Sequence, residues 1–334
     1  MNIKQFKKLN IGICGCGYWA SNIIKSLEEE NFEEVHVYDF DSRKLKNVKS
    51  KFPFLKICKT FNELLSKKLD CILLVTPTST HFSLGKKILN KNINLFIEKP
   101  STLKSRDLRE LINISNNKKK ILMSGYIYVY NTYIQHIKKI IDSKKLGNIK
   151  YIYFERSNLG PIRNDTSCLY DLASHDISTA LYLLKKKPKI SYVKTFDFLK
   201  KNLFDISSVG LDFKNTKVEI RSSWLNPEKI RKIIIIGEKK MLQFDEMDPN
   251  KKIKIHNKYA SYPDIKSFKK SFFTPKANIY LGKTYSPKID FKSPLKQELS
   301  HFFSCLKNKT KPITSGDYGY KVLKLLEEIK KKIN

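Results

Sequence analysis

Along the first 125 residues, short apolar runs alternate with longer stretches in which apolar positions recur at helical spacing. The runs Asn10 to Cys14, Glu34 to Asp39, Lys56 to Cys58, Asp70 to Thr76, Asn94 to Glu98 and Lys120 to Ser124 read as strands. Helices are predicted between them near Trp19 to Glu30, Ser42 to Lys51, Asn62 to Ser66, Ser79 to Asn90 and Lys104 to Ser115. Strand-helix alternation of this kind is the pattern of βαβ units around a doubly wound parallel sheet.

After Gly125 the rhythm changes. A helix of about Asn131 to Ser143, a strand Lys150 to Ser157 and an irregular stretch lead into a second helix near Tyr170 to Leu184. Strand-like runs then follow one another to about His256 at hairpin spacing, which predicts an antiparallel sheet. The segment from Asn257 to Lys292 has little periodicity and holds Pro263, Pro275 and Pro287, so a surface excursion is expected there. Helices near 294–306 and 316–330 close the chain. The predicted organisation is α/β, with a first domain over 1–125 and a second, α+β domain with a mostly antiparallel open sheet over 126–334.

Composition narrows the functional classes. No run approaches the roughly 18 apolar residues of a membrane span, and the N-terminal stretch lacks a signal-peptide core and cleavage site, so a cytoplasmic protein without a membrane partner is expected. The six cysteines have neither disulfide nor zinc spacing, and no metal site is predicted. The formal net charge of +33 suggests a polyanion partner when taken alone. The excess is carried overwhelmingly by Lys spread along the whole chain, in company with many Ile and Asn, which favours a general surface bias over a nucleic-acid site. Attraction of an anionic substrate at low salt is the consequence that survives.

Three stretches carry chemistry. In IGICGCGYWAS a strand runs into Gly15, Cys16, Gly17, Tyr18, Trp19 and Ala20, and a helix follows at once. Gly15 permits a tight turn, Gly17 leaves room for a pyrophosphate against backbone, and Ala20 lets the helix lie close to the sheet. Asp39, at the end of the next strand about twenty residues on, is placed to accept both ribose hydroxyls of a dinucleotide. A carboxylate there repels a 2′-phosphate, so NAD is favoured over NADP, with nearby Arg43 tempering the preference. The first domain is therefore expected to be a dinucleotide-binding Rossmann domain. In NLFIEKP a buried strand ends in Glu98, Lys99 and Pro100, which delivers Lys99 to the ligand edge of an open α/β sheet. In LYDLASHDISTALYLL, Asp171 and His175 stand four apart on a predicted helix and face the same way, a pairing suited to proton transfer near neutral pH. Each stretch also has a bland reading: Lys99 as one surface lysine among many, and His175 as a satisfied core histidine.

Together with TPTSTH at Thr76 to His81, GYIYVYN at Gly125 to Asn131 and the closing PLKQELSHFFSCL segment, these stretches resemble the Gfo/Idh/MocA dehydrogenases over nearly the whole chain. The resemblance implies a catalytic set of Lys99, Asp171 and His175, and a cofactor path along Thr76, Pro77 and His81. It also implies a C-terminal sheet that often forms the subunit interface, hence a homodimer or homotetramer. Tyr126, which the resemblance puts with Lys99, Asp171 and His175 near the substrate, stands where many relatives have His, and Ala20 replaces the third Gly of the turn. The segment NLGPIRNDTSCLYDLASHD is similar to the sugar-nucleotide branch of the family, with Arg163 and Asn164 near the substrate. Arg163 is suited to grip a carboxylate or diphosphate, and equally suited to hold loop carbonyls before a helix. The implied activity is NAD-dependent hydride transfer at a secondary alcohol, with C3 of a nucleotide-linked sugar favoured. The alternatives are a free polyol or inositol-type dehydrogenase and a non-catalytic dinucleotide-binding regulator.

Overall fold

In the computed structural model, which describes residues 3–164, 166–262 and 276–333, the chain divides into two compact units. The first comprises Met1–Asn131 with Lys292–Glu327, and the second Thr132–Phe291 with Glu328–Asn334.

In the first unit, strands β1 (Asn10–Cys14), β2 (Glu34–Tyr38), β3 (Lys56–Ile57), β4 (Cys71–Leu74), β5 (Asn94–Glu98) and β6 (Leu122–Gly125) form one sheet in the order β3-β2-β1-β4-β5-β6. Every pairing is parallel, and the register sets Cys14 beside both Tyr38 and Leu74. The crossover helices are α1 (Tyr18–Glu28), α2 (Ser42–Lys51), α3 (Phe61–Ser66), α4 (Thr78–Asn90) and α5 (Ser105–Asn117). The four residues of β4 are all buried, as expected of a central strand covered on both faces. Strand order reverses direction between β1 and β4, and a doubly wound sheet of this order binds its ligand beyond the carboxyl ends at that point.

The closing helices α8 (Pro294–Asn308) and α9 (Gly316–Lys330) differ from the expected division, because most of their length belongs to the first unit. Phe302 meets Phe96 of β5 edge-on, Phe303 packs against Phe6 and Phe32, and Leu323 joins the apolar cluster that includes Leu108 and Leu122. Lys296 pairs with Glu29 and Glu30 at the end of α1, while both carboxylate oxygens of Glu327 accept from Ser105. Helical periodicity tells which face of α8 is apolar; it does not tell which sheet that face will cover.

The second unit holds an eight-stranded sheet ordered β14-β13-β12-β11-β7-β10-β9-β8. Its strands are β7 (Ile149–Ser157), β8 (Lys189–Phe196), β9 (Ile206–Phe213), β10 (Thr216–Ser223), β11 (Ile230–Gly237), β12 (Met241–Asp245), β13 (Ile253–Ser261) and β14 (Asn278–Tyr285). All pairings are antiparallel except β7 with β10. Helices α6 (Thr132–Asp142) and α7 (Ser174–Leu184) belong to this unit. Its core gathers Phe154, Val209, Ile220, Trp224 and Phe244. The expected surface excursion over Asn257 to Lys292 proves to contain the end of β13 and the whole of β14, paired antiparallel at the sheet edge; Pro263 and Pro275 lie outside the described residues. Every residue of β14 is exposed, so no burial contrast marks NIYLGKTY as a strand. No helix among the described residues is long and apolar enough to cross a membrane.

Candidate active site

The turn after β1 is shaped by two glycines with different tasks. Gly15 has φ +103°, and a Cβ there would lie 2.8 Å from the backbone of Val75 and Thr76, so both conformation and space demand glycine. Gly17 is the N-cap of α1; a Cβ on it would meet nothing within 4 Å, and no side chain caps the helix. That leaves open space in front of a helix N-terminus, where backbone donors and the positive end of the dipole favour phosphate. Ala20, fully buried, brings the first turn of α1 against the sheet. These residues fit a dinucleotide diphosphate.

Asp39 is held where β2 ends. Its Oδ2 accepts from the Cys16 N–H at 2.6 Å and its Oδ1 from the Asp41 N–H at 2.8 Å, so one carboxylate ties the glycine turn to the start of α2. Each oxygen keeps a further lone pair for a ribose hydroxyl. Arg43 leans on Asp41 instead, with Nε 3.3 Å from Oδ1, and that pairing holds the Asp41 carboxyl below the usual carboxylate range. Tyr18, a cofactor candidate from the sequence, is 86% exposed beside the turn, as is Phe40 at 95%, a large aromatic ring that the glycine and carboxylate pattern did not single out.

Beyond β4, the hydroxyls of Thr76 and Thr80 lie 2.7 Å apart and Pro77 caps α4. His81 is buried, with Nε2 at 2.7 Å from the Thr76 carbonyl and Nδ1 at 3.1 Å from that of Pro100. It is a strut between the ends of β4 and β5, and burial lowers its pKa. At the end of β5, Glu98 accepts from the Trp19 indole Nε1 at 2.5 Å and from the Lys99 N–H at 3.0 Å. Burial pushes its carboxyl above the ordinary range. The Lys99–Pro100 peptide is cis. Tyr126, placed by the resemblance near substrate, is 2% exposed and meets Tyr318 edge-on, with its phenol pushed up by burial. The predicted cofactor residues and Lys99 thus come together at the carboxyl ends of one sheet. A cavity of about 470 Å³ at the opposite strand ends, lined in part by Asn94, Leu122 and Thr310, includes none of them.

The second unit carries Arg163, Asn164, Asp171 and His175. Residues Leu169–Ala173 form a π-helical turn continuous with α7, so Asp171 sits in the wider turn and His175 in the first regular one. Such turns recur at functional sites because the extra residue re-aims side chains. Cys168 and Leu172 pack on Trp224 beneath it. Asp176 forms a buried, bidentate pair with Arg156 of β7, at 2.8 and 2.9 Å, which pins the helix next to His175. Hydroxyls of Ser178 and Thr179 donate to the His175 carbonyl at 2.7 and 2.8 Å. Arg163 Nη1 lies 3.6 Å from Asp171 Oδ1, while Asn164 is exposed. Arg163 therefore meets the catalytic candidate Asp171 itself, a partner that neither sequence reading of this arginine named. The sequence missed the Arg156–Asp176 anchor and the π turn, since neither has a local signature.

Residues 9–126 match the model of an oxidoreductase family with an NAD-binding Rossmann fold, Gfo/Idh/MocA, and residues 134–243 match the C-terminal domain of the same family. The chain belongs to the Gfo/Idh/MocA family. Its first unit is an NAD-binding Rossmann domain. Among relatives, UDP-N-acetylglucosamine 3-dehydrogenase of Acidithiobacillus ferrooxidans is 25% identical over 171 residues, covering 50% of this chain and 49% of that protein. Inositol 2-dehydrogenase of Rhizobium meliloti is 25% identical over 125 residues, 36% of this chain and 38% of its own. The chain thus spans about half or less of the length of these Gfo/Idh/MocA relatives. The solved structure of the Acidithiobacillus enzyme superposes with a TM-score of 0.82 at 18% identity, covering 98% of this chain and 97% of that one. The WlbA dehydrogenase of Bordetella pertussis, solved with NADH and UDP-GlcNAcA, gives 0.77 at 18% identity, covering 97% and 96%. At these identities the likeness is one of fold.

Proposed function

We propose that this Gfo/Idh/MocA protein is an NAD-dependent dehydrogenase that moves a hydride between a secondary alcohol of a sugar, C3 of a nucleotide-linked sugar being favoured, and the nicotinamide. The observation that carries the reading is the cradle at the switch point: open space at Gly17, the Asp39 carboxylate across the turn, and Lys99 at the end of the same sheet. Bound NAD supplies the hydride acceptor. Lys99, Asp171 and His175 form the catalytic set, in which His175, with Lys99, takes the hydroxyl proton and Asp171 orients it. The Arg163–Asp171 contact makes Arg163 a second orienting group, whose guanidinium also suits a substrate diphosphate. The similarity to a UDP-N-acetylglucosamine 3-dehydrogenase supports the nucleotide-sugar choice, and the inositol dehydrogenase relatives make a free polyol the second reading. We place the protein in the cytoplasm as a homo-oligomer built on the second unit's sheet.

The test is NAD reduction followed by absorbance over a panel of nucleotide sugars and free polyols, with Lys99→Ala and His175→Ala. Both variants should lose turnover at least about a hundredfold, the scale of general acid-base catalysis, while binding NAD nearly as the parent does. Unchanged turnover in both sinks the assignment. NAD binding without turnover on any compound favours a regulator.

A further inference from the structure

Behind Lys99 lies a second carboxyl that the hydride-transfer reading does not use. On β5, Phe96 and Glu98 are two apart and share a face; on α8, Glu298 and Phe302 are four apart and share another. The Phe96–Phe302 ring contact, with centroids 5.7 Å apart, joins these two faces, and Glu298 lies near enough to Glu98 to feel its charge. Room for the pair comes from Gly125, the register partner of Glu98, where a Cβ would stand 3.0 Å from Glu98 Oε1.

The two carboxyls are unequally served. Glu98 accepts from the Trp19 indole and the Lys99 N–H, two bonds that favour its charged form and partly offset the burial that raises its carboxyl, so it is the one to ionise first. Glu298 is 0% exposed and neither of its oxygens has a hydrogen-bond partner among the described residues, so its charged form is disfavoured. The other titratable groups whose charges act on the pair are Lys99 and Tyr126, beside Glu98, and Tyr130, beside Glu298.

We propose that Glu98 and Glu298 form a buried carboxyl pair holding a single proton, and that Glu298, acting through Glu98, is a positioning residue that sets the charge beside Lys99. Glu298 keeps the proton and Glu98 carries the negative charge. Burial and the neighbouring Glu98 charge both drive the Glu298 carboxyl well up, in keeping with this division. A second ionisation at alkaline pH doubles the charge facing Lys99 and holds its ammonium in place. The pair stands independently of the proposed function, whereas the kinetic consequence rests on the catalytic assignment of Lys99.

Trp19, bonded to Glu98, is the reporter. The full-length protein and Glu298→Gln are titrated from pH 5 to 9.5 by tryptophan emission, the contribution of Trp224 being common to both. The parent should show two steps and Glu298→Gln only the first, because interacting carboxyls lose their protons in two macroscopic stages. Superimposable titrations overturn the pair. Should Glu298→Gln fail to fold, Glu98→Gln carries the test and should flatten the response; an undiminished response overturns it. The kcat/KM profile reads the positioning role: the pKa assigned to Lys99 should move about one unit toward acid in Glu298→Gln, and an unmoved pKa overturns that role. If Lys99→Ala keeps its turnover while the emission shows two steps, the catalytic reading falls and the pair stands.

Discussion

Replacing Asp176 by Ala tests whether the helix that presents His175 is held by its buried ion pair. Arg156 and Asp176 have side chains 6% and 4% exposed, and two parallel bonds of 2.8 and 2.9 Å join them. Removing the carboxylate leaves the guanidinium in place with its bidentate partner gone. Breaking a buried pair on one side costs about 3–5 kcal/mol, far more than the pair contributes relative to an apolar substitute. At roughly 2–4 °C per kcal/mol for a unit of this size, the melting midpoint should fall by about 6–20 °C. Urea unfolding followed by circular dichroism gives the free energy directly. The double variant Arg156→Met with Asp176→Leu should recover most of the loss, since it removes both charges. A loss under about 1 kcal/mol for Asp176→Ala, or a double variant no better than the single, would refute the reasoning.

Two further outcomes follow from the first unit. Asp39→Ser removes a charged acceptor from the ribose position and from two backbone N–H groups. At about 1.5–3 kcal/mol per bond to a charged group, NAD binding should weaken at least about tenfold and the NAD-to-NADP ratio of dissociation constants should collapse toward unity; an unchanged ratio counts against Asp39 as the selector. His81 has its pKa lowered by burial, so the unfolded chain takes up a proton on this ring that the folded one refuses. Stability from this residue is therefore complete above the ordinary histidine value near pH 6.5 and is lost as pH falls below it toward the folded pKa. His81→Asn should flatten the slope of melting temperature between pH 6.5 and 5, with half-buried histidines of lowered pKa such as His301 leaving a residual slope. An unaltered slope would show that His81 is not the group titrating.

The cofactor half of the candidate site was legible because its requirements are local. A turn that needs φ above zero needs glycine, a helix N-terminus that meets phosphate cannot carry a bulky side chain, and a carboxylate at the next strand end is a fixed number of residues away. Gly15, Gly17, Ala20 and Asp39 meet those conditions within thirty residues of chain, and the structure places them accordingly. The motif at Glu98, Lys99 and Pro100 could likewise be placed at a strand end. His81 was found by its motif, but its position as a buried strut between two carbonyls depends on where β4 and β5 lie in the sheet.

By itself, then, the sequence determined the alternation of strands and helices, the dinucleotide turn, the family, and the candidate residues of both units. Tertiary structure alone decided that α8 and most of α9 return to the first unit, that residues 278–285 form an edge strand, that Asp171 lies in a π turn facing Arg163, and that buried Glu298 feels the charge of Glu98. The physical reason is the range of the forces concerned. Backbone dihedrals and amphipathic period are set by neighbours in the chain, whereas the surface that an apolar face covers, and the charge that a buried carboxyl meets, are set by residues up to 200 positions away.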